Sequence, residues 1–176
     1  MSLDWISPAE RLQSLPPYVF ARLDELKARA REQGLDLIDL GMGNPDGATP
    51  APVVEAAIAA LKDPANHGYP PFEGTGNFRR AITKWYHRRY GVELSSDSEV
   101  LPLLGSKEGL THLAIAYINP GDLVLVPTPA YPAHFRGPVI AGGKVHSIIL
   151  KPENDWLIDL ASIPDAIAQQ AKILYF

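Results

Sequence analysis

The sequence has no cysteine, which excludes disulfide bridges and thiolate metal sites. It also lacks an excess of positive charge: the formal net charge is -4, whereas domains that bind nucleic acid are usually strongly basic. No apolar run is long enough to cross a bilayer, and acidic residues precede the first apolar run. We therefore expect a cytoplasmic protein whose partners are small molecules or other protein chains, with no nucleic acid and no membrane.

Metal-ligand spacing is missing as well. The five histidines are scattered along the chain and do not have the spacing of zinc ligands, so we expect no metal site. What the chain does have is a hydrophobic fraction of 46% over 176 residues, which is enough to bury a substantial core.

Three segments in the first half have apolar residues at helical spacing. They predict helices near residues 19–33, 54–61 and 78–85, the first ending at Gly34 and the second entered at Pro52. The basic residues of the third segment are interpreted as a solvated helix face. Between the first two, "LDLIDL" predicts a short strand that runs into a glycine-rich turn.

From residue 98 onward, short apolar runs alternate with helical patterns. Strands are predicted at "EVLPLL", "LVLV", "VHSIIL" and "KILYF", with helices over 110–117, near "HFRGPVIAG" and near 160–170. This alternation predicts an α/β fold whose mostly parallel sheet has helices on both faces. The apolar strand at Ile173 to Phe176 has nothing after it to cover it, so we expect the front part of a longer enzyme.

The stretch "LLGSKEGL", residues 103–110, lies where a predicted strand meets a helix N-terminus. The unpaired N–H groups and the positive dipole end of such a helix favour an anion. Gly105 removes a side chain that would block an approaching phosphate, and Ser106 offers a hydroxyl. Lys107 lies at the end of the helix that disfavours cations, a cost that the bound anion and Glu108 would offset. The same spacing also fits an ordinary helix with Ser106 as its N-cap.

Tyr131, in "PTPAYPAHF", follows the strand "LVLV" and so belongs to another loop at the carboxyl end of the sheet. A phosphate site beside an aromatic ring suits a flat, phosphorylated cofactor, since stacking adds on the order of 1 kcal/mol to burial. Tyr131 could also serve packing alone. Other phosphate and nucleophile motifs fit less well: "GMGNPDG" has its third glycine one residue late for a dinucleotide site, and neither a nucleophile elbow nor a Walker loop is present.

Several blocks together resemble the class I aminotransferases, which use pyridoxal 5'-phosphate (PLP) on the type I fold. The blocks are "LPPYVF", "DLGMGNPDGATP", "HGYPPFEGTGNFRRAITKWYHRRYGVEL", "GSKEGLTHLAIAYINPGDLVLVPTPAYP" and "AGGKVHSIIL". They occur in the family's order, cover nearly the whole chain, and are most similar to alanine, LL-diaminopimelate and aspartate aminotransferases. The resemblance implies transamination between an amino acid (alanine, glutamate, aspartate or LL-diaminopimelate) and a 2-oxo acid, by a homodimer.

The resemblance assigns the cofactor residues by position. It implies that Gly105, Ser106 and Lys107 hold the PLP phosphate and that Tyr131 stacks on the pyridine ring. It implies that Tyr69 reaches the phosphate of the neighbouring subunit.

For the substrate, the resemblance implies that the backbone of Gly43 lies against the carboxylate and that Tyr18 contacts the substrate. Glu73 matches in position a glutamate that recognises a distal amine in some diaminopimelate enzymes, but their "EQG" differs from "FEG" here.

The resemblance also implies what this stretch of sequence lacks. The lysine that bonds to the cofactor, and hence any catalytic residue, is expected beyond Phe176, so the chain alone is expected to be inactive. Residues 1–47 are expected to form an amino-terminal arm and small-domain segment, and residues 48–176 the first part of the PLP-binding large domain. Two alternatives remain: another PLP reaction on the same fold, a C–S lyase or decarboxylase, or a non-catalytic relic that acts as an interaction fragment.

Overall fold

The computed structural model describes residues 7–41 and 43–176, so residues 1–6 and Met42 of the predicted arm lie outside it. The chain divides into two compact units. We call Tyr18–Pro102 the helical unit, and Met1–Pro17 with Leu103–Phe176 the sheet unit. The predicted boundary after residue 47 concerns the domains of a whole enzyme and stays a prediction.

The helical unit contains the three helices predicted for the first half of the sequence. They are α2 (Val19–Glu32), α3 (Ala51–Lys62) and α4 (Gly76–Tyr90), with a short 3-10 helix at Pro64–Asn66. Gly34 and Gly91 follow α2 and α4 with positive φ angles of 71° and 67°, the left-handed conformation that commonly ends a helix. Pro52 lies in the first turn of α3, where its missing N–H has no cost.

The sheet unit begins with the short helix α1 (Glu10–Gln13), and its later elements follow the predicted alternation. They are α5 (Ser106–Tyr117), β1 (Leu123–Thr128), α6 (Pro132–Ile140), β2 (Lys144–Ile149), α7 (Asp165–Gln170) and β3 (Ala171–Leu174), with 3-10 helices at Pro152–Asn154 and Leu160–Ser162. The strands are all parallel, in the order β2-β1-β3. This confirms the α/β fold and the parallel sheet.

The central strand β1 separates two layers of helix. Val124 and Val126 are buried in a core with Ala114 and Ile118 from α5 and its C-cap. Because successive side chains point to opposite faces of a strand, Leu125 faces the other way, where Leu160, Ile163 and Ala168 lie beside it. Helices therefore cover both faces of β1, as predicted.

Two predicted strands are wrong. Residues 35–40 and 99–104 are described in full and belong to no sheet. In the second segment Pro102 has no N–H to donate to a ladder, and an apolar alternation becomes a strand only where a neighbour pairs with it. The helix predicted near 160–170 is also shorter than expected, since α7 begins only at Asp165, after Pro164.

The described residues include no helix that is long and apolar enough to cross a membrane. They also include no cluster of histidine, aspartate and glutamate side chains that could hold a metal ion.

Candidate functional site

The predicted phosphate loop of the sheet unit lies at the start of α5. Gly105 is the N-cap, with φ 85° and ψ 151°, a combination open almost solely to glycine. An added Cβ at Gly105 would meet no atom within 4 Å, so the backbone angles, and not the space, require glycine here. The interpretation of Ser106 as an N-cap is wrong, because Ser106 is already the first residue of the helix.

This geometry suits an anion. The N–H groups of the first helical residues have no acceptor within the helix, and the helix dipole adds a partial positive charge there. Ser106 and Lys107 are both exposed at this end. The three residues predicted to form the cradle are thus consecutive, accessible and at the positive end of a helix of 12 residues.

The structure brings Tyr131 to this helix end. The Lys107 Nζ lies 5.5 Å from the centroid of the Tyr131 ring, a cation–π distance. Tyr131 is the N-cap of α6 and is 48% exposed. Two loops that follow different parts of the fold therefore place an ammonium group and an aromatic face side by side.

A glycine explains why the two helices approach so closely. A Cβ on Gly137 in α6 would lie 3.3 Å from the Cα of Thr111 and 3.4 Å from the Cβ of Ala114, both in α5. The absent side chain allows the helix backbones to pack together, and their N-termini are neighbours as a result. Packing in the core thus sets the distance between Lys107 and Tyr131.

Behind Tyr131 lies an aromatic cluster that sequence reasoning did not find. His134 contacts Tyr131 edge to face, with centroids 6.1 Å apart, and stacks on Tyr175 at 5.0 Å and 16°. Tyr175 is buried, its hydroxyl donates to the carbonyl of Leu110 at 3.2 Å, and burial raises its pKa. The spacing of Tyr131 and His134, three residues apart at the start of a helix, was the available signal.

The other predicted residues lie in the helical unit. Tyr69 has a fully exposed side chain, at 104% of the reference area. Gly43 is exposed, with no atom within 4 Å of an added Cβ. Tyr18 caps α2 and its ring lies 5.5 Å from that of Phe20. Glu73 is exposed beside Gly74.

In the same unit, two hydrogen bonds to the carboxylate of Asp39 shape the turn that precedes Gly43. The Asp39 carboxylate accepts the N–H of Gly41 at 3.0 Å and the Lys27 ammonium at 3.1 Å. These two hydrogen bonds hold the pKa of Asp39 below its usual value, and Asp24 with Asp39 raises the pKa of Lys27. The sequence signal was the Asp-x-Gly spacing, which is typical of a turn closed by an aspartate side chain.

The residues of the sheet unit fit a flat, phosphorylated ring. The helix N-terminus after Gly105 suits the phosphate, and the exposed Tyr131 face suits the ring. In addition, the buried Nδ1 of His134 has no hydrogen-bond partner among the described residues.

A family model described as aminotransferase class I and II matches residues 35–176. The LL-diaminopimelate aminotransferase of Aquifex aeolicus is 51% identical over 167 residues, which are 95% of this chain and 43% of that protein. The solved structure of a probable N-succinyldiaminopimelate aminotransferase from Thermus thermophilus is 40% identical, with a TM-score of 0.81 over 89% of this chain and 42% of the other. Substrate-bound BacF from Bacillus subtilis is 36% identical, with a TM-score of 0.86 over 96% and 42%. The chain thus spans less than half the length of each of these proteins.

Proposed function

Since the chain belongs to the class I and II aminotransferases, we propose that it serves PLP-dependent transfer of an amino group between an amino acid and a 2-oxo acid. The observation that carries the proposal is the pairing of Lys107 with Tyr131 at the start of α5. This pairing places the anion site at the start of α5 and the aromatic ring of Tyr131 close enough for one ligand to contact both. PLP, when bound, supplies a reactive carbonyl and a ring that withdraws electrons.

The sheet unit binds and orients the cofactor in this proposal. The backbone N–H groups of Gly105, Ser106 and Lys107 hold the phosphate, and the Ser106 hydroxyl donates one further hydrogen bond. The Lys107 ammonium adds charge, and Tyr131 stacks on the ring. None of these side chains is proposed to carry out a bond-making step.

The helical unit supplies the substrate contacts in this proposal. The backbone of Gly43 lies against the substrate carboxylate, and Tyr18 contacts the substrate. Tyr69 reaches the phosphate of a neighbouring subunit, so the active form is a homodimer. Its fully exposed side chain is accessible to such a contact. Residues 1–47 act as arm and small-domain segment in this proposal, and residues 48–176 as part of the large domain.

The amino donor we propose is LL-diaminopimelate, with a 2-oxo acid as the acceptor. The proposal is supported by the 51% identity to the Aquifex aeolicus enzyme. The exposed carboxylate of Glu73 is a suitable partner for the distal ammonium group of this substrate. A Glu73→Gln change should therefore raise the KM for LL-diaminopimelate more than that for alanine.

The test uses the complete gene product. Transamination of LL-diaminopimelate, aspartate, alanine and glutamate is compared as kcat/KM, with the release of each 2-oxo acid as readout. A preference for LL-diaminopimelate is expected. A preference for alanine or aspartate would overturn the proposed substrate. Elimination or decarboxylation of any of the four amino acids would overturn the proposed reaction.

Cofactor binding is tested separately, with pyridoxamine 5'-phosphate and pyridoxamine as noncovalent ligands of the protein stripped of cofactor. We expect Ser106→Ala to weaken the phosphorylated ligand about tenfold, the value of one hydrogen bond to a charged group, and to leave pyridoxamine unchanged. Equal affinity of the wild type for the two ligands would refute the cradle.

A further inference from the structure

The side chain of Glu108 reaches back over the start of α5. Its Oε2 accepts the backbone N–H of Leu104 at 2.7 Å, a short, charge-assisted hydrogen bond. Glu108 is the third residue of the helix, and Leu104 lies two residues before it begins. The bond therefore closes a ring around Gly105, Ser106 and Lys107, the residues of the proposed cradle.

The ring differs from the usual capping box in one respect. In a capping box the glutamate at the third helical position accepts the N–H of the N-cap residue itself. Here the N-cap is Gly105, and the carboxylate takes the N–H of the residue before it. Glu108 thus fixes the loop without occupying the N–H groups of Gly105 and Ser106.

Further contacts secure the same loop to the helix. An added Cβ on Gly109 would overlap a methyl carbon of Leu103, so the Leu103 side chain lies directly on that glycine. The second carboxylate oxygen, Oε1, lies 3.7 Å from the Nδ1 of His112. Residues 103 and 104 are therefore held by the first two turns of α5, through an apolar contact and a hydrogen bond.

We propose that Glu108 is a positioning residue for the phosphate cradle: its hydrogen bond to Leu104 holds Gly105 in the left-handed geometry that directs the cradle N–H groups outward. The proposal rests on the proposed function, because it assumes that the cradle binds the cofactor phosphate. It also separates two properties of the side chain. The hydrogen bond favours phosphate binding through geometry, whereas the negative charge opposes it.

Two substitutions separate these properties. Glu108→Gln removes the charge and keeps an oxygen that can accept the N–H of Leu104, whereas Glu108→Asp keeps the charge and withdraws the oxygen by one methylene. For the complete gene product stripped of cofactor, Glu108→Asp should weaken pyridoxamine 5'-phosphate about tenfold, the loss of one such bond. Glu108→Gln should bind it as tightly as the wild type or more tightly. Pyridoxamine should bind all three proteins within about twofold, because it lacks the phosphate.

Glu99 provides a matched control. Its Oε2 accepts the N–H of Ser95 at 2.8 Å, the same carboxylate contact across four residues, in the helical unit. Glu99→Asp should therefore leave the affinity for pyridoxamine 5'-phosphate unchanged. Circular dichroism and the thermal midpoint of each variant report on folding.

The outcomes divide clearly. Equal binding of the phosphorylated ligand by Glu108→Asp and the wild type, or equal weakening in Glu108→Asp and Glu108→Gln, overturns the positioning role. A loss that affects pyridoxamine as much as its phosphate also overturns it, because the residue would then support the fold in general. If Ser106→Ala is without effect too, the failure lies in the proposed cradle and not in Glu108 alone.

Discussion

Replacing Gly105 with alanine should disturb the cradle without any steric clash. At φ 85° and ψ 151° the residue occupies a region that other residues avoid, and holding a residue there costs on the order of 1–3 kcal/mol. An added Cβ meets no atom within 4 Å, so crowding contributes nothing to this value. The energy is released only if the backbone rotates, and rotation turns the cradle N–H groups away from the phosphate.

The expected loss of affinity for pyridoxamine 5'-phosphate follows from the same figure. A strain of about 1–3 kcal/mol corresponds to roughly 5- to 150-fold weaker binding, since 1.4 kcal/mol is a factor of ten. The assay is a titration of the complete gene product, stripped of cofactor, with the phosphorylated ligand and with pyridoxamine. Affinity for pyridoxamine should change far less.

Gly121 offers the control for this change. It also has a positive φ, 92°, and no atom within 4 Å of an added Cβ, but it lies in the turn before β1. Gly121→Ala should lower the thermal midpoint by a few degrees, as a strained residue does, and leave ligand affinity unchanged. Wild-type affinity in Gly105→Ala, or an equal loss in Gly121→Ala, would refute the argument that the backbone angles of Gly105 shape the site.

Two further changes test the aromatic cluster beside the cradle, and a third tests the ion pair between Asp122 and Lys172 at the start of β1. Tyr131→Ala should weaken the binding of pyridoxamine and of its phosphate alike, about fivefold in a titration, because stacking contributes about 1 kcal/mol whether or not a phosphate is present. Tyr131→Phe should retain the affinity for both ligands, because it keeps an aromatic ring. Tyr175→Phe should lower the free energy of unfolding in urea by about 1 kcal/mol, through loss of the bond to Leu110; an unchanged midpoint would contradict this. The ammonium of Lys172 and the N–H of Asn119 hold the pKa of Asp122 below its usual value. The ionised carboxylate therefore stabilises the fold fully above the pKa of an unfolded aspartate, about 3.9, and this contribution is lost as the pH falls through the pKa of Asp122 in the folded protein. The stability gap between wild type and Asp122→Asn should therefore narrow in urea titrations as the pH is lowered from 7 to 3, and a constant gap would refute this assignment.

The sequence predicted the elements that rest on local signals. Helices α2, α3 and α5 have apolar residues three and four apart, and glycine or proline marks the ends of the first two. The strands β1 and β2 are short β-branched runs between turns, and their parallel order followed from the helices that separate them. These features depend on residues that are close together in the chain, so they can be predicted from the sequence.

The failures concern features that depend on neighbours in space. Residues 35–40 and 99–104 have the composition of strands, but pairing decides whether an extended segment is one. Ser106 is a favourable N-cap residue, yet Gly105 takes that position because its backbone angles suit no other residue. The cluster of Tyr131, His134 and Tyr175 joins residues more than 40 positions apart, so only the sheet register brings Tyr175 to the others.

The distance between Lys107 and Tyr131 in the candidate site depends on the core of the sheet unit. Val124 and Val126 anchor β1 in the core, and Gly137 allows α6, which begins at Tyr131, to pack directly on α5. A side chain at Gly137 would separate the two helices, and the distance between Lys107 and Tyr131 would grow with it. Tyr131 belongs to α6 and the cradle to α5, so the distance between them depends on how these two helices pack together. The cradle itself is different: Gly105 and Glu108 lie three residues apart, and their geometry is set within a single turn. A change in the core should therefore disturb the stacking of the ring and leave the phosphate contact intact.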